Sequence, residues 1–560
     1  MTSIPNDLRS LLVAAALALA APDAAPAQTC ASDCNGSGNV TVDELVKAVN
    51  IALGSAVLDG CAAADRNGNG TVSVDELVGA VNAALGGCAP VTPGPTRTPT
   101  ATAPTAATPT FTPTTGGTPG AAPNALDASF GTAGLATPRV GLGRAYIAGL
   151  ANAPGGGVAF TGDLTAATQF NGYAARVTGA GVLDLTFNGM GVKPVDVWTC
   201  TGGGFSPLNE SMTEIAVDGD GRILIAGSTT VDGGTQRYAI ARFTSGGELD
   251  PSFGSNGCAT VDASPDFPNE YVSSMRLQPD GRILLAGWTW SEDWSMSAPV
   301  LVRLTEDGEL DADFASGGRF AVDGYPGNKS LGLQVERVGV DLQSDGRIIF
   351  LHTVLLPGPS VAFGLTRLDA GGHLDTSFGD GGTFVRQAIE GRFNFAVDLV
   401  VVAGDRIVVG GSARNAANKY DFALLRTTAD GALDGSFGSD GIALLSVGAT
   451  DVDDYLGDLA VDSAGRVIAA GVRYSIGETP STRMALARFD ADGRLDATGF
   501  CAAGTSGPAV ISNIRVVVDP QDHILVSLVD PAFGNPNSSV VGIGILRFNG
   551  GAGTGTCPTG

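Results

Sequence analysis

The sequence predicts an all-β protein, a seven-bladed β-propeller of four-stranded blades preceded by a small α-helical module. Three observations predict it. A decapeptide such as ELDPSFGSNG (248–257) recurs seven times, at a mean interval of about 61 residues. A glycine turn into an apolar strand, as in DGRILLAG (280–287), recurs in the same phase. Two loop motifs of twelve residues, each followed by a helical pattern, come before the repeats.

Residues 1–27 have the pattern of a signal peptide. Arg9 precedes the apolar run of residues 11–21, and Ala25-Pro26-Ala27 is a small-x-small cleavage site. No later apolar run approaches the roughly 20 residues that a membrane-spanning helix needs. We therefore expect a protein without a membrane span that is secreted or displayed on the cell surface, with the periplasm as the alternative location.

The charge and the cysteines fit an exported protein. A formal net charge of −25 disfavours nucleic acid as a partner, because phosphate and carboxylate repel each other. Eight cysteines suit an oxidising compartment, in which thiols pair as disulfides. We favour pairing within modules, although four cysteines allow three connectivities. The favoured pairs are Cys30–Cys88, Cys34–Cys61, Cys200–Cys258 and Cys501–Cys557.

The two loop motifs predict calcium sites. Residues 33–44 (DCNGSGNVTVDE) and 65–76 (DRNGNGTVSVDE) place oxygen-bearing residues at alternate positions, with glycine at position 6 for the sharp turn that the loop needs. The predicted ligands are Asp33, Asn35, Ser37, Asn39, Thr41 and Glu44 in the first loop and Asp65, Asn67, Asn69, Thr71, Ser73 and Glu76 in the second. The alternative interpretation is two Asn/Gly turns that open helices.

Helical patterns follow both loops, DELVKAVNIALG after the first and DELVGAVNAALGG after the second. This duplication in residues 28–88 resembles the EF-hand and dockerin repeats of secreted bacterial proteins. The resemblance implies calcium as the cofactor, and a docking role in a surface complex as one alternative. Glu44 and Glu76 depart from the aspartate usual at position 12 of dockerins, which weakens the docking interpretation.

Residues 89–123 separate this module from the repeats. Alternating proline and threonine leave little to bury and favour an extended polyproline II spacer. The predicted propeller then spans residues 124–550, and residues 551–560 form a C-terminal tail. We expect a monomer.

The repeats predict one four-stranded sheet for each unit of about 61 residues. An arginine ends one strand of each unit, and an LD aspartate that follows is expected to brace it. We expect the decapeptide to connect the outer strand of one blade to the next blade, and no strand from another terminus to close the ring. Cys200 and Cys258 would then join blades 2 and 3. A β-helix or another solenoid is the structural alternative.

The pattern LDxSFGxxG followed by DGRILxAG resembles the delta-60 repeat family over residues 125–549. The resemblance implies a propeller in secreted or surface proteins of bacteria, and it implies no particular reaction. The last copy, RLDATGF, departs from the pattern by one extra residue and by Cys501 where glycine is usual.

Few residues suggest chemistry. The three histidines form no catalytic or zinc set, and HExxH, GxSxG, Walker and CxxC motifs are absent from the sequence. Trp288, Trp290 and Trp294 cluster in GWTWSEDW and are candidates for stacking on a sugar ring, with packing between blades as the alternative. The acidic stretch 451–458 is a weaker candidate for a cation site.

The predicted function is recognition, adhesion or scaffolding at the cell surface, with a glycan or a protein as the ligand. The sequence leaves catalysis open and favours a protein that is not an enzyme. The alternative is a propeller enzyme acting on extracellular polysaccharide. Two carboxylates converging at the mouth of the central channel, ~5 to 10 Å apart, would favour the enzyme, and a channel lined by glycine and aliphatic residues would favour binding alone.

Overall fold

A computed structural model describes residues 34, 40–52, 61–64 and 72 in the N-terminal part of the chain. Of the remainder it describes 126–140, 144–166, 169–202, 210–231, 234–294, 296–322, 325–326, 337–356, 361–392, 394–447, 452–475, 481–496, 514–530 and 542–550. The chain divides into two compact units, residues 1–115 and 116–560. Among the described residues, no helix has the length and apolar character needed to cross a membrane.

In the first unit, helix α1 (Val42–Ala52) follows the first predicted loop. The Glu44 carboxylate accepts hydrogen bonds from the backbone N–H and the hydroxyl of Thr41, both at 2.8 Å, which caps the helix N-terminus. A disulfide joins Cys34 to Cys61, beside a short 3₁₀ helix (Ala62–Ala64). Thr41 and Glu44 are the only predicted calcium ligands within the described residues; the other ten, the second helix, Cys30 and Cys88 lie outside them.

The second unit is a propeller of seven antiparallel sheets, so the predicted all-β seven-bladed fold of four-stranded blades is confirmed. Strand β1 (Leu135–Ala136) comes first in the chain and belongs to the last blade. Blade 1 contains β2 (Arg144–Ala145), β3 (Gly149–Ala153), β4 (Gly157–Ala166), β5 (Gln169–Val177) and β6 (Val192–Val195), with a 3₁₀ turn (Pro154–Gly156) between β3 and β4. Blade 2 contains β7 (Glu210–Val217), β8 (Ile223–Thr230), β9 (Gln236–Phe243) and β10 (Cys258–Val261), preceded by the short helix α2 (Val197–Cys200).

The next two blades repeat this order. Blade 3 contains β11 (Asn269–Leu277), β12 (Ile283–Trp290), β13 (Met296–Leu304), β14 (Arg319–Ala321) and the added β15 (Tyr325–Pro326). Blade 4 contains β16 (Gly339–Leu342), β17 (Ile348–Leu355), β18 (Val361–Leu368) and β19 (Thr383–Arg386).

The last three blades complete the ring. Blade 5 contains β20 (Asn394–Val402), β21 (Arg406–Arg414), β22 (Tyr420–Thr427) and β23 (Ile442–Leu445). The described strands of blade 6 are β24 (Asp453–Val461), β25 (Val467–Ser475) and β26 (Ser481–Phe489). Blade 7 contains β27 (Val516–Val518), β28 (Ile524–Asp530), β29 (Gly542–Phe548) and, from the start of the propeller, β1.

The core lies between the blades. Every residue of β8, β12, β18 and β22 is buried, because these strands lie in the middle of their sheets and neighbouring blades cover both faces. The described apolar residues form seven clusters in the propeller, one at each contact between neighbouring blades. Aliphatic and alanine-rich strands supply most of these contacts, which accounts for the low aromatic content of 6%.

The decapeptide recurs because it clamps neighbouring blades together. In blade 2, Arg242 Nε donates to Asp250 at 2.8 Å, and its guanidinium lies 4.7 Å from the centre of the Phe253 ring. Its Nη1 donates to the Glu306 carbonyl of blade 3 at 2.6 Å. Phe253 is fully buried against Gly308, where φ is +84° and a Cβ would lie 2.6 Å from the ring. The motif therefore needs its arginine, aspartate, phenylalanine and a neighbouring glycine together.

All seven blades carry the arginine–aspartate contact of this clamp. The arginine–phenylalanine contact is described in six, because Phe500 of blade 6 lies outside the described residues. The arginine Nε lies 2.7 to 2.9 Å from the aspartate in each one. The arginines are Arg176, Arg242, Arg303, Arg367, Arg426, Arg488 and Arg547. Within a blade the aspartate follows its arginine by eight residues, so the expected bracing is confirmed.

The position predicted for the decapeptide was wrong. It connects the third strand of a blade to the fourth strand of the same blade, as between β9 and β10, and reaches the neighbouring blade only through its side chains. The disulfide between Cys200 and Cys258 was expected as a pair, but it joins the segment before β7 to β10 at the edge of blade 2 rather than blades 2 and 3. Cys501 and Cys557 lie outside the described residues.

The expectation that no strand would close the ring was also wrong. Strand β1 pairs with β29, Leu135 opposite Leu546, and supplies the outer strand of blade 7. The first decapeptide completes the last clamp, since Arg547 donates to Asp127 at 2.8 Å and to the Gly179 carbonyl of blade 1 at 2.7 Å. The chain begins its repeats one strand before a blade boundary, and that offset brings the two ends of the propeller into one sheet.

Candidate functional site

The first strands of the blades place seven residues at one equivalent position. Each lies eight residues before the residue aligned with the arginine of DGR. The seven are Gly149, Glu214, Ser274, Gly339, Asp398, Asp458 and Arg515. In four blades a β-bulge just before this position shifts the register, for example between Val272 and Ser274. We call these seven residues the channel ring.

A cavity of about 160 Å³ lies at the centre of the propeller, lined by residues of all seven first strands. Glu214, Ser274, Asp398, Asp458 and Arg515 of the channel ring are among the lining residues. Larger concavities of about 760 and 520 Å³ lie at the outer edge of blade 2 and between the turns of blades 2 and 3. Repeated scaffold residues such as Arg242 and Gly254 line them, whereas the central cavity is lined by the position at which the blades differ.

Asp398 and Asp458 form a hydrogen-bonded acid pair between blades 5 and 6. Their remaining oxygens accept backbone hydrogen bonds, Asp398 from Leu459 N–H at 3.0 Å and Asp458 from Val516 N–H at 2.7 Å. Burial, and then the neighbouring Asp458 carboxylate, raise the pKa of Asp398 to about 8. Burial also raises the pKa of Asp458. Near neutral pH Asp398 is therefore largely protonated, and its proton can form the hydrogen bond to Asp458.

Glu214 and Arg515 form an ion pair across blade 1. Arg515 Nη2 lies 2.9 Å from Glu214 Oε1, and its Nε donates to the Ala148 carbonyl at 2.5 Å. Burial raises the pKa of Glu214 to about 7, even though the Arg515 guanidinium opposes the shift. Arg515 Nη1 also lies 4.0 Å from Asp458, so the guanidinium stands between the acid pair and Glu214. The cavity thus combines carboxylates, a proton and a guanidinium.

The three tryptophans lie in blade 3, away from the channel ring. Trp288 is buried in the apolar cluster between blades 3 and 4, as the packing alternative expected. Trp290 is 9% exposed at the end of β12, and Trp294 in the next turn is 36% exposed. The Trp294 ring centre lies 5.8 Å from that of Trp290 and 6.3 Å from that of Tyr271. Trp290 and Trp294 therefore remain candidates for stacking on a ligand.

The histidines and the acidic stretch have structural partners. His352 is buried in β17, where burial lowers its pKa to about 4, and His523 Nδ1 lies 2.7 Å from Asp519. In the stretch 451–458, Asp453 lies 3.3 Å from Lys419 and Asp454 accepts a hydrogen bond from Val447 N–H at 2.7 Å. Its last residue, Asp458, belongs to the acid pair. The stretch therefore contributes to the channel rather than to a separate described cation site.

Sequence reasoning missed the channel ring. Its acids are about 60 residues apart or more, so no local motif in the sequence connects them. Aligning the blades on the DGR turn and reading eight residues back finds all seven positions. That position varies between glycine, serine, acid and arginine, while the residue that follows it is apolar in every blade.

Four of the repeats are similar to a known family of sequences. Residues 219–253, 278–314, 405–437 and 465–498 match the DUF5122 beta-propeller, a domain of unknown function. Each matched segment runs from the turn before the second strand into the decapeptide, in blades 2, 3, 5 and 6. No curated protein matches the chain significantly.

Solved propellers resemble the chain at low identity. The propeller domain of the Trilobed protease from Pyrococcus furiosus has a TM-score of 0.36 and 11% identity, over 70% of this chain and 90% of that one. A PL25 polysaccharide lyase, an ulvan lyase, has a TM-score of 0.39 and 13% identity, over 74% and 96%. An alpha-L-arabinanase from Penicillium chrysogenum has a TM-score of 0.32 and 12% identity, over 48% and 79%.

Proposed function

We propose that the chain is an exported recognition propeller that binds a saccharide at the central cavity, displayed on the Pro/Thr linker. One observation carries the proposal: the channel ring is the repeat position at which the blades differ and their side chains converge. A scaffold role needs the same residue in every blade, as the seven clamp arginines illustrate. A set of different polar residues around one cavity is instead typical of a ligand site.

The chemistry of the cavity suits sugar hydroxyls. Carboxylate oxygens accept hydrogen bonds from hydroxyls, and the acid-pair proton and the Arg515 guanidinium donate them. The volume of about 160 Å³ is below the roughly 300 Å³ of ordinary ligand pockets, so it holds one sugar unit rather than a threaded chain. We infer that the end or a branch of a glycan enters the cavity.

Isosteric changes in the channel ring test this proposal. We expect Glu214→Gln and Asp398→Asn each to weaken binding of a glycan found on an array by about tenfold or more, because each substitution replaces a carboxyl group, which can donate or accept a proton, with an amide that cannot. Calorimetric titration of the full chain measures the affinity. Glu390→Gln, in an exposed turn between β19 and β20, is the matched control. Unchanged affinity in both channel variants would contradict the proposal.

The acid pair favours a second function, cleavage of the bound glycan. A shared proton supplies one carboxyl as a general acid and one carboxylate as a general base near neutral pH. Analysis of the glycan recovered from the calorimetric titrations distinguishes cleavage from binding alone. New sugar ends released by the wild type and not by Asp398→Asn would identify an enzyme, and an intact glycan would leave recognition as the function.

The N-terminal module is proposed to bind calcium through the twelve ligands named from the sequence. Ligand positions and spacing support the proposal, and two carboxylates per loop suggest weak affinity of roughly 10⁻⁴ to 10⁻³ M. We expect chelator to lower the melting temperature of residues 28–88, expressed alone or in the full chain. The melting of a chain that starts at residue 125 is the control. Equal shifts in both, or none in either, would contradict this assignment.

A further inference from the structure

Arg337 reaches across the channel from blade 4 to blade 6. It lies two residues before Gly339 of the channel ring, at the entry to β16. Its Nη1 donates to the carbonyl of Gly457 at 3.3 Å, and Gly457 is the extra residue of the bulge in β24. Blade 5 lies between these two strands in the ring, so the side chain extends past the inner edge of a whole blade.

The half-buried guanidinium of Arg337 has few described partners. An arginine carries five N–H donors, and among the described residues the Gly457 carbonyl is its one hydrogen-bond acceptor. Arg515, by contrast, has a carboxylate and two carbonyls as acceptors. Burial, and then the like charge of Arg515, lower the pKa of Arg337 to about 10. The site therefore has a guanidinium whose charge is incompletely compensated.

The neighbouring acids leave that charge available. Glu214 is paired with Arg515, and Asp398 and Asp458 share a hydrogen bond with each other. All three are close enough to act electrostatically on Arg337, yet no described ion pair joins any of them to it. The acid pair and Glu214 can also hold protons near neutral pH, which reduces the repulsion that an entering anion would meet.

Arg337 is not itself a lining residue of the cavity, but its Nη1 reaches the carbonyl of Gly457, which directly precedes the lining residue Asp458. We propose that Arg337 binds an anionic group at the edge of the cavity and that the ligand is an acidic saccharide, held through a carboxylate or a sulfate group. The planar guanidinium binds such groups with two parallel hydrogen bonds, a geometry that the single bond to Gly457 leaves open. The hydroxyls of the same sugar unit then face the channel ring. This inference rests on the proposed saccharide function and specifies its ligand class.

Matched glycans test the assignment on the full chain. The probes are tetramers of β-1,4-linked glucose and of β-1,4-linked glucuronate, tetramers of α-1,4-linked galactose and galacturonate, and galactose oligomers with and without sulfate. We expect the wild type to prefer acidic members by at least tenfold. Arg337→Gln should abolish the preference. Arg337→Lys should keep only part of it, because lysine keeps the positive charge but cannot form the two parallel hydrogen bonds of a guanidinium. Arg347→Gln, an exposed turn arginine outside the cavity, is the control.

The outcomes separate this inference from the proposed function. Equal binding of acidic and neutral members, or an acidic preference that survives Arg337→Gln in a variant with normal melting, overturns the role of Arg337 and leaves saccharide binding standing. Binding of no probe by the wild type overturns both. A preference confined to uronates or to sulfated oligomers supports the assignment and identifies which anion the Arg337 guanidinium binds.

Discussion

A chain that begins at residue 137 is expected to lose at least about 5 kcal/mol of stability relative to one that begins at residue 125. The shorter chain lacks β1 and the first decapeptide, so β29 loses its partner and blade 7 its outer strand. Removing the fully buried Phe130 withdraws about 2 to 3 kcal/mol of apolar burial. Removing Asp127 leaves the buried Arg547 without its carboxylate, which costs about 3 to 5 kcal/mol.

Urea unfolding of the two truncated chains measures this difference, and the comparison cancels the effect of removing the N-terminal module. We expect the chain from residue 125 to unfold at the same urea concentration as the full chain. The chain from residue 137 should unfold earlier or show a separate transition for its open end. Coincident unfolding of the two truncated chains would show that the pairing of β1 with β29 contributes little.

Arg367→Ala should lower the free energy of unfolding by about 3 to 5 kcal/mol, because the substitution leaves a cavity where a fully buried side chain packs on Phe378 and removes the hydrogen bonds of that side chain. The Arg367 side chain is fully buried, with its Nε 2.9 Å from Asp375. Its Nη1 also donates to the Ala429 carbonyl of blade 5 at 2.7 Å. The change therefore breaks a contact within blade 4 and one between blades.

The control for Arg367 is Arg494→Ala. That arginine is 73% exposed and pairs with Asp492 at 2.8 Å on the surface, so its loss should change stability by less than about 1 kcal/mol. Chemical denaturation followed by tryptophan fluorescence and by circular dichroism measures both variants. If Arg367→Ala unfolds at the same denaturant concentration as the wild type, the clamp contributes little to the stability of the fold.

The repeat period predicted the blades, but it could not set their phase. The repeat period is about 61 residues whether the unit is taken to begin at the first strand of a blade or at the fourth. The glycines of the decapeptide and its position after an apolar strand suit a connection between blades as well as a turn within one blade. Only the pairing of β1 with β29 and of β10 with β9 reveals that the fourth strand belongs with the three before it.

The clamp and the channel ring differ in how far sequence could predict them. The arginine and the LD aspartate recur at a fixed spacing, so their contact could be expected before the structure. Asp398 and Asp458 lie 60 residues apart and meet only because neighbouring blades bring the same strand position to one axis. Arg337 is harder still, since it contacts a carbonyl two blades away, from a strand position that is apolar in most other blades.

The late pairing of β1 bears on the order in which the chain can be completed during synthesis. Leu135 leaves the ribosome 411 positions before its partner Leu546, a delay of roughly 20 to 80 s at ordinary elongation rates. Throughout that interval the nascent propeller is an open arc with an unpaired strand at one end, the kind of edge that other chains can join. Completion depends on the final strand, so a transcript truncated shortly before it would yield six blades, a seventh that lacks its third strand and the partner of β1, and no closed ring.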